Sequence, residues 1–434
     1  MNASTLVTEF FGTKGRHLAI GGVSVGDLVE RHGTPLYVYD ASLLRARLRG
    51  LRQHLPARLE VYYSVKANPN PEVIRCFVGE GAGTEIASAA EYLRARAAGC
   101  APERVLFAGP GKDPTELALV ARDGIGEIHV ESHDEIKALD AAARTLGRKV
   151  NVAIRINPAS AASGGAMRMG GQPAPFGFDE EQLEEIVRTV RDSSSLRFAG
   201  VHMFAGTQIL DAEVLVAQWR HAVDLGRRTA EIVGTPIDTI DFGGGLGIPY
   251  FPHENPLDLE KVSVLAQELF NQIAADPLLA DTRFILEPGR YLAGPAGVYL
   301  ARVQSVKQSR GRTFVVLNGG MHHHLAASGN LGQVIKRDYP IVNASRMTDD
   351  ATHEVTVVGP LCTPLDTLAR KSSLAETKAG DIVAVLQSGA YGLTASPVGF
   401  LSHPMPAEVL VDAGADRRIR ARGSFEQPIV PLPE

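Results

Sequence analysis

Several apolar runs in this 434-residue chain end on a residue able to do chemistry. "YYSVKANPN" (62–70) delivers Lys66 where a Tyr- and Val-rich run breaks at Asn-Pro-Asn. "TEIAS" (84–88) carries Glu85, and "KVNVAIRIN" (149–157) carries Arg155. "RFAGVHMFAG" (197–206) closes on Phe204 and Gly206 with Thr207 next, "DTIDFGGG" (238–245) closes on Gly243, Gly244 and Gly245, and "RFILEPGR" (283–290) holds Glu287 and Arg290. Each has an ordinary reading alone. A lysine at a strand end usually snorkels to water, a glycine run is a tight turn as readily as a phosphate site, and a lone arginine forms a surface salt bridge. Glu287 is harder to dismiss. It sits in an apolar strand that Pro288 terminates, where a carboxylate needs a proton or a cation to face.

Taken together the set has one coherent use. A lysine amine can form a Schiff base with an aldehyde, and a carboxylate can keep a pyridine nitrogen protonated so that the ring accepts electrons. Bare glycine N–H groups can wrap a phosphate, and Arg290 can pair with it bidentately. That is the chemistry of pyridoxal 5'-phosphate (PLP), with Lys66 as the residue bonded to it.

These residues must be brought to one place, and the order of elements says how. Strands are expected at 59–67, 84–88, 104–109, 127–132, 149–157, 197–206, 238–245 and 283–290. Helical stretches lie between them, such as 88–99, 132–147 and 179–193, the last with acidic residues in its first turn as the helix dipole prefers. Apolar strands alternating with amphipathic helices predict a parallel sheet covered by helices. Eight such units fit a closed (β/α)8 barrel, of the TIM type, better than an open doubly wound sheet. In such a barrel the active site lies at the carboxyl ends of the strands, where all the residues named above fall.

The expected organisation is an N-terminal segment (1–40), a barrel (41–292) and a mainly antiparallel C-terminal β domain (293–434), to which the N-terminal segment contributes. "TPLYVYD" (34–40) reads as a strand leading into the barrel. The long Gly-, Ala- and Ser-rich segment 158–175 reads as a disordered loop or a lid.

Composition narrows the class. A hydrophobic content of 44% with 21% charged residues is that of a soluble globular protein, and a net charge of -5 gives no reason to expect nucleic acid or a membrane surface as partner. The first residues lack the layout of a signal peptide, and Cys76, Cys100 and Cys362 show no metal-ligand spacing. A cytoplasmic protein with reduced thiols and no metal is expected.

The motifs "YYSVKAN", "TEIASAAE", "HMFAGTQI", "DFGGGLG", "EPGR", "GPLCTPLD" and "SGAYG" follow one another in an order that resembles the ornithine/diaminopimelate decarboxylase family. These are fold-type III PLP enzymes made of a (β/α)8 barrel and a β domain. The likeness spans residues 34 to 410 or so. It implies that Lys66 is the Schiff-base lysine, that Glu85 and Arg155 line the imine side of the cofactor, and that Gly243–Gly245 bind its phosphate. Thr207 stands where the family often has a serine. Glu287 would face the pyridine nitrogen, Arg290 would close that motif, and Tyr391 would reach the phosphate. Cys362 would protonate the substrate carbanion from a partner subunit, which implies a homodimer.

Departures from the family pattern bear on the substrate. Phe204 stands where many relatives stack a histidine on the cofactor, and His202, two residues earlier, is expected on the other side of the strand. Thr363 follows Cys362 where diaminopimelate decarboxylases have a glutamate that grips the substrate's far amino group. "NGGMHHHLAAS" carries His322, His323 and His324, read as a polar loop in preference to a substrate-binding group, since three adjacent residues cannot converge on zinc.

With "SPVGFLSHPMP" these features resemble a subgroup acting on glutamyl-[acyl-carrier protein] in butirosin-type antibiotic biosynthesis. They resemble somewhat less the siderophore-pathway enzymes acting on citryl-diaminopropionate. The resemblance implies a carrier-tethered or conjugated substrate, an acyl-carrier protein as partner, and His322–His324 with Asp366 facing the rest of the substrate. A decarboxylase of free diaminopimelate, ornithine or lysine, and a non-catalytic partner-binding homologue, remain as alternatives.

Overall fold

The computed structural model describes residues 2–432 apart from 160–166, 169–172, 205, 332, 334 and 335. The described chain divides into two compact units. One is built from residues 48–247 and 257–289, the other from 1–47, 248–256 and 290–434.

The first unit is a barrel. Leu59–Ser64, Gly83–Ile86, Val105–Phe107, Glu127–Val130, Val150–Asn157, Leu196–Met203, Thr239–Asp241 and Arg283–Leu286 pair in that order, all parallel, and the last returns to the first. The sheet therefore closes at eight strands, with no free edge. Val, Ile, Leu and aromatic residues on both faces of these strands are buried, which is the pattern of a parallel sheet covered on its outside and packed within.

Short connections follow from the chemistry at the strand ends. Asn70 accepts a hydrogen bond from the Glu72 N–H to cap the helix Pro71–Val78, whose first residue is a proline. Ser88 caps Ala89–Ala97, Asp113 forms a capping box on Pro114–Asp123, Ser132 caps His133–Leu146 and Asp211 caps Ala212–Val233. Each cap satisfies helix N–H groups that have no partner in the helix itself and contributes about 1 kcal/mol. Because the caps come within a few residues of the strand ends, the last residues of each strand are presented together at the barrel's carboxyl rim. Gly147 and Gly234 close two of these helices in the left-handed conformation.

The second unit is a mostly antiparallel sheet. Its strands run Thr367–Leu374, His353–Val358, Arg312–Leu317, Gly297–Ser309, Leu36–Asp40, Ala407–Asp412 and Ala415–Arg420. Ile382–Val385 pairs both with Gly297–Ser309 and with Ile341–Asn343. Two pairs are parallel, Arg312–Leu317 with His353–Val358 and Leu36–Asp40 with Ala407–Asp412. Leu36–Asp40 is thus an interior strand of this sheet, with every residue buried. Leu36, Val38, Val298, Leu300, Ala384 and Val409 build the core, together with Leu6, Leu18 and Ile20 from the N-terminal segment.

Candidate active site

Lys66 lies in the single 3-10 turn Val65–Ala67 that follows the first barrel strand. Asn68 and Asn70 are buried just beyond it and tie the turn down: the Asn70 N–H donates to Asn68 Oδ1 (3.1 Å), and the Tyr63 hydroxyl donates to the Asn68 carbonyl (3.1 Å). The lysine side chain is half exposed, with Nζ 3.0 and 3.1 Å from the two oxygens of Glu85. Glu85 is buried and also accepts from Ser64 Oγ at 2.6 Å. A half-open amine held against a buried carboxylate is poised toward whatever enters the rim.

Glu287 follows the eighth strand, and its N–H donates to the Gly243 carbonyl (2.8 Å). Its carboxyl is buried and hydrogen-bonds Asp241; Oε1 has no partner. Burial, then the charges of Asp241 and Glu85, push this carboxyl well above the ordinary glutamate range. Asp241, held by the Gly243 N–H at 2.7 Å, is itself raised to about 6, chiefly by burial.

The Gly243–Gly245 turn admits no side chain. A Cβ on Gly244 would lie 2.6 Å from the Glu287 carbonyl oxygen, and Gly243 and Gly245 have φ of +65° and +104°. The Gly243 and Gly245 carbonyls accept from Glu287 and Ile209. In a trans peptide the N–H opposes the C=O, so the Gly244 and Leu246 N–H groups point away from those two donors. Phe204 flanks the turn: a Cβ on Gly243 would lie 2.8 Å from its ring. Gly206–Thr207 pairs antiparallel with Met167–Arg168; of the expected lid, 160–166 and 169–172 lie outside the described residues.

Arg155 is buried and its NH1 donates to Glu131 Oε1 (2.7 Å). Glu131, buried one residue past the fourth strand, also accepts from the N–H groups of Gly109 (2.6 Å) and Gly177 (3.1 Å). Lys112 braces the same corner against Glu135 (2.5 Å) and the carbonyls of Gly109 and His129.

In the second unit, Arg290 is buried, donates to the Tyr250 hydroxyl (3.0 Å) and lies 4.6 Å from the centre of the Tyr391 ring. It makes no ion pair among the described residues, and its Nε has no partner. A buried guanidinium without a carboxylate suits an incoming anion. Cys362 is exposed.

His322, His323 and His324 are not the polar loop that was expected. All three side chains are buried, and burial holds His322 down to about 4 and His324 to about 3, with His323 also well below its usual range. They are therefore neutral. His324 Nδ1 accepts from the Ala327 N–H (3.3 Å) and Nε2 lies 3.0 Å from Ser388 Oγ, while the His322 and His323 rings meet tilted by 44° with centroids 3.7 Å apart. Asp366 is committed to the backbone: Oδ1 accepts from Met321 (2.6 Å) and Oδ2 from Leu361 (2.9 Å). It ties two turns together, with a backbone donor on each oxygen.

Reasoning from strand ends missed several groups. His202 is not on the far side of its strand: it is buried in the barrel, with Nε2 3.7 Å from Glu287 Oε2 and Nδ1 2.9 Å from Nδ1 of His129. One ligand atom from each of His129, His202, Asp241 and Glu287 lies within 4.8 Å of the others. The signal available was a polar residue inside an apolar strand, "EIHV" and "GVHM".

A closed parallel barrel whose rim carries a lysine on a carboxylate, a glycine turn and a buried acid suits a pyridoxal phosphate. The chain belongs to the pyridoxal-dependent decarboxylase family: residues 41–294 match the family's pyridoxal-binding domain. It is 40% identical over 402 residues to the L-glutamyl-[BtrI acyl-carrier protein] decarboxylase of Niallia circulans, covering 92% of this chain and 94% of the relative. It is 32% identical over 418 residues to the diaminopimelate decarboxylase of Aquifex aeolicus, covering 95% of each. Among solved structures, the diaminopimelate decarboxylase of Helicobacter pylori complexed with L-lysine superposes with a TM-score of 0.82 at 27% identity, over 92% of this chain and 97% of that one. Among the described residues no helix is long and apolar enough to cross a membrane.

Proposed function

We propose that this enzyme removes a carboxyl group from an amino acid tethered to a carrier protein, of the glutamyl-[acyl-carrier protein] kind, using PLP held by Lys66. The observation that carries the chemistry is Glu287. A buried carboxyl with an unpartnered oxygen and acidic neighbours suits a cationic ring nitrogen, and the turn beside it has the bare glycine backbone that suits a phosphate. When bound, PLP supplies an aldehyde carbon for the substrate amine and a ring that accepts the electron pair left by departing CO2.

The residues divide the work. Lys66 Nζ would hold the aldehyde, and Glu85, with Ser64 behind it, would orient the amine beside it. Glu287 holds a proton at the ring nitrogen, and Asp241 orients Glu287. Gly243, Gly244, Gly245 and Thr207 would hold the phosphate; Arg290 offers its buried charge to an anion, and the resemblance gives Tyr391 a phosphate contact. Phe204 offers an aromatic face to the ring. Arg155, fixed by Glu131, supplies positive charge on the imine side. Cys362 serves as the acid that returns a proton to Cα, acting in a homodimer on the partner's substrate.

The carrier-bound substrate rests on the 40% identity to the glutamyl-carrier enzyme and on Thr363, which cannot grip a distal ammonium as a glutamate would. The second reading, decarboxylation of free diaminopimelate, is favoured by the 32% identity to diaminopimelate decarboxylases. A mass-spectrometric turnover assay separates them. PLP-loaded protein is offered glutamyl-loaded carrier beside free diaminopimelate, ornithine, lysine and glutamate. Loss of CO2 from the carrier-bound amino acid alone supports the tethered reading, and turnover of a free diamino acid replaces it with the second.

A further inference from the structure

Assigning Lys66 and Glu287 to a cofactor leaves two buried histidines in the barrel interior without a task. His129 lies within the fourth strand and His202 within the sixth, and neither is more than 2% exposed. Their Nδ1 atoms are 2.9 Å apart, so one carries a hydrogen and the other offers its lone pair. Burial pushes His129 down to about 3 and His202 well below its ordinary range, so both rings are neutral and each carries one N–H. Whichever ring donates through Nδ1 is bare at Nε2, and its partner carries hydrogen there.

Each Nε2 faces a carboxyl. His202 Nε2 is 3.7 Å from Glu287 Oε2, and His129 Nε2 is 3.9 Å from Glu127 Oε2. Both Nε2 atoms and Glu127 Oε2 are buried without a hydrogen-bond partner. The gaps exceed a hydrogen bond by roughly half an ångström to one, within reach of rotation about the glutamate side-chain bonds. Glu127 opens its strand and Glu287 follows the last one, so the set runs from the amino end of the barrel to the rim.

We propose that Glu127, His129, His202 and Glu287 form a proton-sharing chain through the barrel, which lets Glu287 become a carboxylate when a cation faces it. This rests on the reading of Glu287 as the partner of the PLP ring nitrogen. Glu287 bonds Asp241 in this structure and lies 3.7 Å from His202 Nε2, so the chain starts once its O–H turns from Asp241 to His202. With the proton at the rim, Glu287 O–H then donates to His202 Nε2, His202 Nδ1–H to His129 Nδ1, and His129 Nε2–H to the Glu127 carboxylate. Passing one hydrogen along each bond leaves Glu287 ionised, hydrogen on His202 Nε2 and His129 Nδ1, and Glu127 neutral. Three protons move, neither ring becomes charged, and the net charge of the set is unchanged.

The far end is built to receive the proton. Burial raises Glu127 to about 7, while its other oxygen accepts from Thr239 Oγ1 (2.7 Å) and lies 3.4 Å from Arg283 NH1. Glu127, His129 and His202 are positioning residues, since they reach the cofactor through Glu287 alone.

The test is nuclear magnetic resonance at pH 8, where Glu127 starts ionised, of protein labelled with 15N-histidine, without and with PLP, the two rings being assigned with H129Q and H202Q. On loading, His129 is expected to move its hydrogen from Nε2 to Nδ1, and His202 to do the reverse. E127Q, whose amide cannot take the proton, is expected to keep one tautomer pair in both states while its visible absorbance shows PLP bound. An unchanged pair in the loaded native protein, or a switch that persists in E127Q, overturns the proposal. The native comparison stands even if a variant misfolds. A protein that shows no cofactor band and no borohydride-fixed mass on Lys66 overturns the reading of Glu287, and the proton chain falls with it.

Discussion

Two buried carboxyl groups set the barrel rim apart from the turns of the β-rich unit. Asp366 has each oxygen met by a backbone N–H, from Met321 and Leu361. Glu287 has Asp241 and Glu85 for neighbours, an oxygen with no partner and a proton it does not readily release. Both residues are desolvated, yet the surroundings of one complete it and those of the other do not. A carboxylate finished by backbone donors is architecture; one left facing other acids is kept for something cationic.

The comparison can be broken experimentally, and Lys66 gives the largest effect. K66A is expected to lower kcat by on the order of 10^4 or more and to abolish the borohydride-fixed adduct, with unfolding in urea little changed. E287A comes next, with kcat down ~10^2 to 10^3-fold, the scale of losing one preorganised electrostatic group, while stability holds or rises because a strained buried acid is gone. Asp366 should behave the opposite way. D366A leaves two buried N–H groups without acceptors and is expected to cost ~2 to 4 kcal/mol in urea denaturation, with turnover of the folded fraction within a few-fold. A large loss of turnover in stable D366A protein would put Asp366 back among the substrate-facing groups.

The smallest effect depends on pH. Glu127 is raised from the ordinary glutamate range to about 7 in the folded protein. The folded state therefore holds this proton where the unfolded chain has lost it, and stability falls as pH rises across that window, then levels off. Arg283 and Thr239 offset the cost from one side, and Asp241 and Asp238 add to it from the other. E127Q is expected to gain on the native protein across the same window, by on the order of 3 kcal/mol at most, read from urea midpoints at pH 5 and pH 8. A pH-independent difference would mean that Glu127 is ionised throughout.

Much of the barrel was legible because its strands are short, apolar and β-branched, and each stops at a capping residue or a glycine. Lys66, Glu85, Gly243–Gly245 and Glu287 stood out by interrupting that pattern at strand ends. His129, His202 and Asp241 did not, since a lone polar residue inside an apolar strand gives no sign of what it meets. The two histidines meet across strands that are not neighbours in sequence, and Asp241 meets Glu287 only once the seventh and eighth strands pair. Glu131 was missed for a similar reason: its three donors, Arg155 in the fifth strand and Gly109 and Gly177 in separate connections, are far apart in sequence. In the β-rich unit, Thr367–Leu374 and Ala415–Arg420 went unread because their residues are largely polar or charged. The histidine turn misled by composition, as burial of neutral imidazoles leaves no mark in the order of residues.

The place of Leu36–Asp40 in its sheet also governs how the chain comes to be assembled. On the ribosome this strand emerges early, but its flanking partners, Gly297–Ser309 and Ala407–Asp412, are synthesised only after the entire barrel. For that interval an apolar segment with two unpaired edges must wait, a hazard that long-range strand pairing creates. The barrel's contacts are local by comparison and can form while the strand is still waiting. Slow translation or a nascent chain stopped near residue 295 would thus expose Leu36–Asp40 to the wrong neighbours.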